Sequence, residues 1–345
     1  MRSFVRLSPR LANNSLLRNT PSLAPGHILP GARWNYHILD SVKGDNTHLS
    51  TVFKAEVVPH NNVNNAPQWA IIKAASPENT IATENLARER ATYRFSGVSS
   101  AACFRQMYDV IDNNTIAVEW LDTTLAEVEY QPNMRMYALI TKFLNAALAS
   151  CIVLDGHRHV NTDYKPANIL LSGIDTERVT AKVGDLVFPV GERAHAQPLA
   201  MRAPEVFLGQ ACTGPSQVWA VAAMLLCWIQ PGILGASDSP SSWINEAWCM
   251  AKIKRLFPDW GIPTPDKVDG HVLQAVVKSA RRMSRDESSM QAILPFGEEM
   301  QKVDMPQQLK EVLHFILVVN PAERPSASSM LGSSELQAFE QFVGV

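Results

Sequence analysis

Between Tyr36 and Trp120 the apolar residues come in short runs, each alternating with polar residues or stopping at a polar turn. Tyr36-His37-Ile38-Leu39, residues 50–58 and Trp69-Ala70-Ile71-Ile72-Lys73 are three such runs, and Asn61-Asn62-Val63-Asn64-Asn65 separates the last two. Short apolar runs bounded by polar turns predict strands, and residues 107–111 and 115–120 repeat the pattern. One helix is predicted in this part, over residues 83–95, which are rich in Ala, Glu and Arg. The result is a small five-stranded antiparallel unit with one helix.

After Leu121 the period lengthens. Residues 133–154 predict a long apolar helix, and 216–229, 243–256, 270–283 and 305–318 predict further helices. The expected fold class is therefore α+β, with a small β lobe at 36–121 and a larger α-helical lobe at 122–345. Residues 1–35 carry Pro21, Pro25 and Pro30 with Gly26 and Gly31, so they are expected to be leader and linker.

A chain of 345 residues can bury two such lobes, and 46% apolar with 19% charged residues is an ordinary globular composition. The net charge of −2 gives no global attraction to nucleic acid or anionic lipid, so neither is an expected partner. Five scattered cysteines without a C-x-x-C pair predict reduced thiols rather than a zinc site or a disulfide framework. The wholly apolar stretch 219–229 is too short to cross a bilayer and stops at Gln230-Pro231-Gly232, so a buried core helix is expected and no membrane span. At the start, Arg2, Arg6 and Arg10 share one helical face, Phe4, Leu7 and Leu11 another, and no acidic residue precedes Asp40. That is the composition of a mitochondrial transit peptide, although Pro9 interrupts the helix; a polar tail on a cytoplasmic protein is the alternative.

The richest chemistry lies in Thr162-Asp163-Tyr164-Lys165-Pro166-Ala167-Asn168, followed by apolar Ile169-Leu170-Leu171. An acceptor, a cation and an amide at one turn are the parts that phosphoryl transfer uses: a base for the attacking hydroxyl, a neutraliser of moving charge and a metal ligand. Taken alone the stretch is also an acceptable surface turn, since Asp, Lys, Pro and Asn all favour turns. Asp185 in Lys182-Val183-Gly184-Asp185-Leu186 follows one hairpin later, where capping a turn is its alternative role. Lys73 ends the strand Ala70-Ile71-Ile72-Lys73, with Glu89 on the next helix as its expected ion-pair partner and Glu84 as the other candidate.

These residues resemble the signatures of the protein-kinase superfamily: the catalytic loop with Lys two residues after Asp, as in serine/threonine kinases, the V-A-I-K lysine, and A-P-E at Ala203-Pro204-Glu205. The resemblance covers about residues 36–340 and is closest to the SR-protein kinase and related CMGC-type branch. It implies a two-lobe kinase fold that binds ATP and Mg2+ and phosphorylates Ser or Thr of a protein substrate. Asp163 and Lys165 would be catalytic. Lys73, Glu89, Val52, Glu119, Leu121, Asn168 and Asp185 would bind ATP, with Asn168 and Asp185 holding the metal. Glu119 and Leu121 would offer backbone groups to adenine beside gatekeeper Val118, and Arg324 would pair with Glu205.

The pattern also departs from that family. The phosphate loop, Lys43-Gly44-Asp45-Asn46-Thr47-His48-Leu49-Ser50, has one glycine, and Asp185-Leu186-Val187 lacks the D-F-G glycine. Asn161-Thr162-Asp163 replaces H-R-D, no Ser, Thr or Tyr lies between Asp185 and Glu205, and Gln217 stands where an acidic residue braces the loop. A pseudokinase that binds nucleotide or partners with little catalysis is the competing expectation. A small-molecule kinase is a third, disfavoured by the A-P-E and Arg324 pair.

Overall fold

The short alternating runs pair into an antiparallel sheet of strands β1 (Ile28–Pro30), β2 (Trp34–Ser41), β3 (Thr51–Pro59), β4 (Trp69–Ala74), β5 (Met107–Asp112) and β6 (Thr115–Glu119). The strand order is β1-β2-β3-β4-β6-β5. The computed structural model describes residues 23–42, 51–60, 65–176, 178–186 and 197–345. The Arg-rich start, residues 43–50 with the single glycine, most of the Asn-rich turn and Val187 therefore lie outside the described residues.

Strand β1 falls within the expected linker, so the sheet gains an edge strand there. Its three residues pair Ile28 with His37, Leu29 with Tyr36 and Pro30 with Asn35. An edge strand tolerates Pro30 because one side of it needs no donor, and a three-residue run has no readable period.

In β3 the alternation is plain: Phe53, Ala55 and Val57 are buried, while Thr51, Glu56 and Val58 are exposed. Strand β4 is buried on both faces. Ala70 and Ile72 join Tyr36, Ile38 and Phe53 in a small cluster, whereas Ile71 belongs to the main core. Side chains alternate along a strand, so Lys73 shares the Ile71 face and is carried toward the rest of the molecule.

Helix α1 (Thr80–Tyr93) begins at Asn79, whose side chain accepts from the Ala82 N–H as an N-cap. Its inner face is Ala82, Leu86, Glu89 and Tyr93, a stripe at spacings of four and three. Glu89 is thus buried by helical phase, among apolar neighbours. The short helix α2 (Ser96–Ser100) follows.

The rest is mainly helical: α3 (Met134–Gly156), α4 (Pro204–Phe207), α5 (Gly214–Ile229), α6 (Asn245–Leu256), α7 (His271–Asp286), α8 (Ser288–Gln291), α9 (Phe296–Lys302), α10 (Gln307–Ile316), α11 (Ala327–Leu331) and α12 (Ser334–Val343). The long predicted helices are present within a few residues of their expected ends. The short ones lack enough turns to show a period. A second sheet, β7 (Thr123–Thr124), β8 (Ile169–Ser172) and β9 (Thr180–Val183), is ordered β7-β8-β9 and carries the hairpin. The molecule is thus mixed α and β, with an antiparallel N-terminal sheet and a helical C-terminal part.

Helix α5 is almost wholly buried, as expected of its apolar run. Helix α3 is the one described helix long and apolar enough to cross a bilayer, and 67% of its apolar window is buried in the protein. A core helix passes the same test of length and composition, so α3 gives no clear membrane span.

Candidate active site

Lys73, on the inward face of β4, meets Glu89 from the buried stripe of α1. Its Nζ donates to Glu89 Oε1 at 2.8 Å and Oε2 at 3.0 Å, and to Asp185 Oδ1 at 2.5 Å. Burial pushes the Lys73 ammonium down, but Asp185 and Glu89 outweigh it and hold its pKa above the ordinary lysine value. Glu84, the other candidate partner, is on the exposed side of α1 and pairs with Arg88 at 3.2 Å.

Asp185 is delivered by the hairpin β8–β9. Val183 N–H donates to Cys103 O at 2.8 Å, Arg105 N–H donates to Val183 O at 3.0 Å, and Gly184 N–H donates to Asn168 O at 2.9 Å. Gly184 packs closely on Leu170: a Cβ there would stand 2.6 Å from Leu170 Cδ1, so the leucine side chain would have to shift to admit one. Asp185 has a φ of 54°, in the left-handed region that few non-glycine residues adopt. The positive φ at this turn therefore sits on the acidic residue itself, and Asp is among the residues that tolerate it.

The loop from 161 to 168 is fixed by buried side chains. Asn161 Oδ1 accepts from the Asp163 N–H at 2.9 Å, an Asx turn. The Tyr164 hydroxyl reaches Ser150 Oγ at 2.7 Å and Cys151 Sγ at 3.2 Å on α3. Asn161 N–H donates to Gln217 Oε1 at 2.7 Å, so the amide braces the loop where an acidic residue was expected. A brace of this kind leaves a cost: Asn161 Nδ2 and Gln217 Nε2 are buried without hydrogen-bond partners among the described residues. Tyr164 and Asn161 were not among the predicted site residues. The readable signal for Asn161 was an Asn two residues before Asp163.

Asn168 Nδ2 donates to Asp163 Oδ2 at 2.9 Å and to Asp163 O at 2.8 Å, and Lys165 Nζ lies 3.3 Å from Asp163 Oδ2. Burial raises the Asp163 pKa above the usual aspartate value, while Lys165 and Asn168 work against that rise and Asp185 adds to it. The effect of Asp185 on Asp163 places the two acids within electrostatic range of one another.

Lys73, Asn168 and Asp185 line a cavity of about 390 Å3 together with Val52 and Leu121 among others, a volume suited to a small molecule, while Glu89, Asp163 and Lys165 stand behind that lining. Leu121 lines it, and its backbone makes no hydrogen bond among the described residues. Glu119 is placed differently from expectation. Its N–H donates to Gln106 O at 2.8 Å, its carbonyl accepts from Arg105 Nε at 2.7 Å, and its carboxylate accepts from Lys182 Nζ at 2.7 Å. Its backbone is thus tied to the residues before β5 and its carboxylate to β9, Glu119 does not line the cavity, and Val118, fully buried, does not line it either. Trp120 takes the lining position, with Lys54 Nζ 4.2 Å from its ring centre.

Farther from the cavity, Arg324 holds Glu205 in the expected pair, at 2.8 and 3.0 Å through two nitrogens. Among the described residues no group of three or more His, Cys, Asp or Glu side chains could hold a metal ion alone. The residues present suit Mg2+ nonetheless, because that ion takes one or two protein oxygens beside phosphates and water. Asn168 keeps Oδ1 available, as its amide nitrogen makes both contacts to Asp163, and the Asp185 carboxylate is the second hard donor. Comparison with family models and with curated proteins finds no match for this chain.

Proposed function

We propose that this chain belongs to the protein-kinase superfamily and transfers the γ-phosphoryl group of ATP to Ser or Thr of a protein substrate. The observation that carries the reading is a cavity lined by Lys73, Asp185 and Asn168, with Glu89 paired to Lys73 behind it and Asn168 bonded to Asp163, which Lys165 accompanies at 3.3 Å. In this reading Lys73, oriented by Glu89, holds the nucleotide phosphates. Asp163 orients the substrate hydroxyl and takes its proton as the oxygen bonds to the γ-phosphorus and ADP leaves. Lys165 offsets charge on the transferring group. Asn168 and Asp185 would hold Mg2+, which when bound neutralises phosphate charge. Leu121 offers the backbone contact to adenine.

Asp163 works only when ionised, so activity should fall as pH drops through its raised pKa. The acid limb of kcat/KM is expected above the ordinary aspartate range. Removing the nearby cation in Lys165→Gln should move that limb further up. A limb that stays in place, measured across a pH series, would remove Lys165 from this role.

The pseudokinase reading is supported by one feature: Lys73 and Asp185 satisfy each other directly, so phosphate and metal must part them on binding. Transfer of labelled phosphate from Mg-ATP to an acceptor protein separates the two readings. Wild type should transfer and Asp185→Ala should not. Absence of transfer by wild type despite metal-dependent ATP binding would favour the pseudokinase.

A further inference from the structure

A second cavity, of about 480 Å3, opens where the end of α1 and strand β5 meet the residue before β2. Its charged lining is three guanidinium groups, Arg33, Arg94 and Arg105, against one carboxylate, Asp109. That carboxylate is already engaged. It accepts from the Tyr36 hydroxyl at 2.6 Å and from the Arg33 backbone N–H at 3.2 and 3.3 Å.

The arginines are not balanced in the same way. Arg33 and Arg94 are exposed, and their side chains make no hydrogen bond or ion pair among the described residues. Arg105 is nearly buried and pinned through Nε to Glu119 O at 2.7 Å, which fixes its guanidinium plane at the cavity wall. Arg105 is 8% exposed, so the positive charge presented at the mouth belongs mainly to the exposed Arg33 and Arg94. Tyr93 also lines the cavity, and its buried hydroxyl has no hydrogen-bond partner among the described residues. An unpaired buried hydroxyl costs stability, which a ligand acceptor would relieve.

We infer that this cavity binds a small soluble phosphate monoester. Guanidinium forks match phosphate oxygens in pairs, and a phosphate monoester carries about −1.5 to −2 charges at neutral pH, which the exposed guanidinium groups of Arg33 and Arg94 oppose. The volume, within the range of about 300–1,000 Å3 for ligand sites, leaves room for the organic part beside the phosphate. The site differs from the cavity lined by Lys73 and Asp185: Arg105 stands in the wall of both, but neither Arg33 nor Arg94 lines that one.

Titration calorimetry on the full chain with glycerol 3-phosphate tests this, with inorganic phosphate and uncharged glycerol as comparison arms. Saturable binding of both phosphates and none of glycerol is expected. Loss of charge-assisted contacts in R33Q/R94Q should weaken binding at least about tenfold. Both residues are exposed, so the variant should keep the wild-type unfolding midpoint. Ser99→Glu, which sets a carboxylate at the exposed rim, is an independent second variant and should weaken binding too. No saturable heat, binding of inorganic phosphate alone, or wild-type affinity in R33Q/R94Q would each overturn the inference.

Discussion

Asp163→Asn should lower kcat by about 10²- to 10⁴-fold, the usual contribution of a positioned general base, or about 3–5 kcal/mol of barrier. The substitution keeps shape and leaves an oxygen to accept from Asn168 Nδ2, now at 2.9 Å from Asp163 Oδ2. What disappears is the charge that pairs with Lys165 at 3.3 Å and that, in the proposed reaction, takes the hydroxyl proton. ATP affinity should therefore change little while turnover falls, a split that single-turnover phosphate transfer and equilibrium binding resolve together. Unchanged turnover in Asp163→Asn would end the assignment of Asp163 as base.

Arg324→Ala should destabilise the fold by about 3–5 kcal/mol, whatever the chain catalyses, because it leaves a buried carboxylate without its partner. The Arg324 side chain is fully buried and Glu205 is 4% exposed. The same guanidinium also donates to Val318 O at 2.7 Å, Pro215 O at 2.8 Å and Val319 O at 3.3 Å, so several acceptors lose their donor at once. It joins the turn before α11, the start of α5 and the short helix α4. Glu205→Gln, which keeps an acceptor but removes the charge, should cost less. The E205Q/R324A pair should recover part of the loss. Thermal and denaturant unfolding of the three variants checks this; an Arg324→Ala protein that melts with wild type would show that the pair holds nothing together.

Much of this was legible in the chain itself. Strands β2 to β6 follow from short apolar runs between polar turns, and α3 and α5 from long apolar stretches, because such patterns are local to each segment. The spacing of Asp163, Lys165 and Asn168 was equally readable, since a single turn brings them together. Glu89 was preferred over Glu84, and the stripe of Ala82, Leu86 and Tyr93 supplies the physical reason: only Glu89 shares its phase. The edge strand β1 was hidden by Pro30 and Gly31 and by its length. A strand so short is defined by its neighbour β2 rather than by its own residues.

Residue chemistry and local geometry were determined by the sequence: which side chains can carry charge, and which stand together on one helix or at one turn. Only the tertiary structure decided which of them meet across distance. Lys73 and Asp185 are 112 residues apart and touch. Glu119 turns to Lys182 and Arg105 instead of the cavity, and Arg105 comes to line two cavities at once. No period in the chain encodes such contacts, because they depend on how finished elements pack and on which buried charge finds a partner. A buried polar group without one costs about 1–3 kcal/mol, enough to settle the choice among arrangements that the local pattern leaves equal.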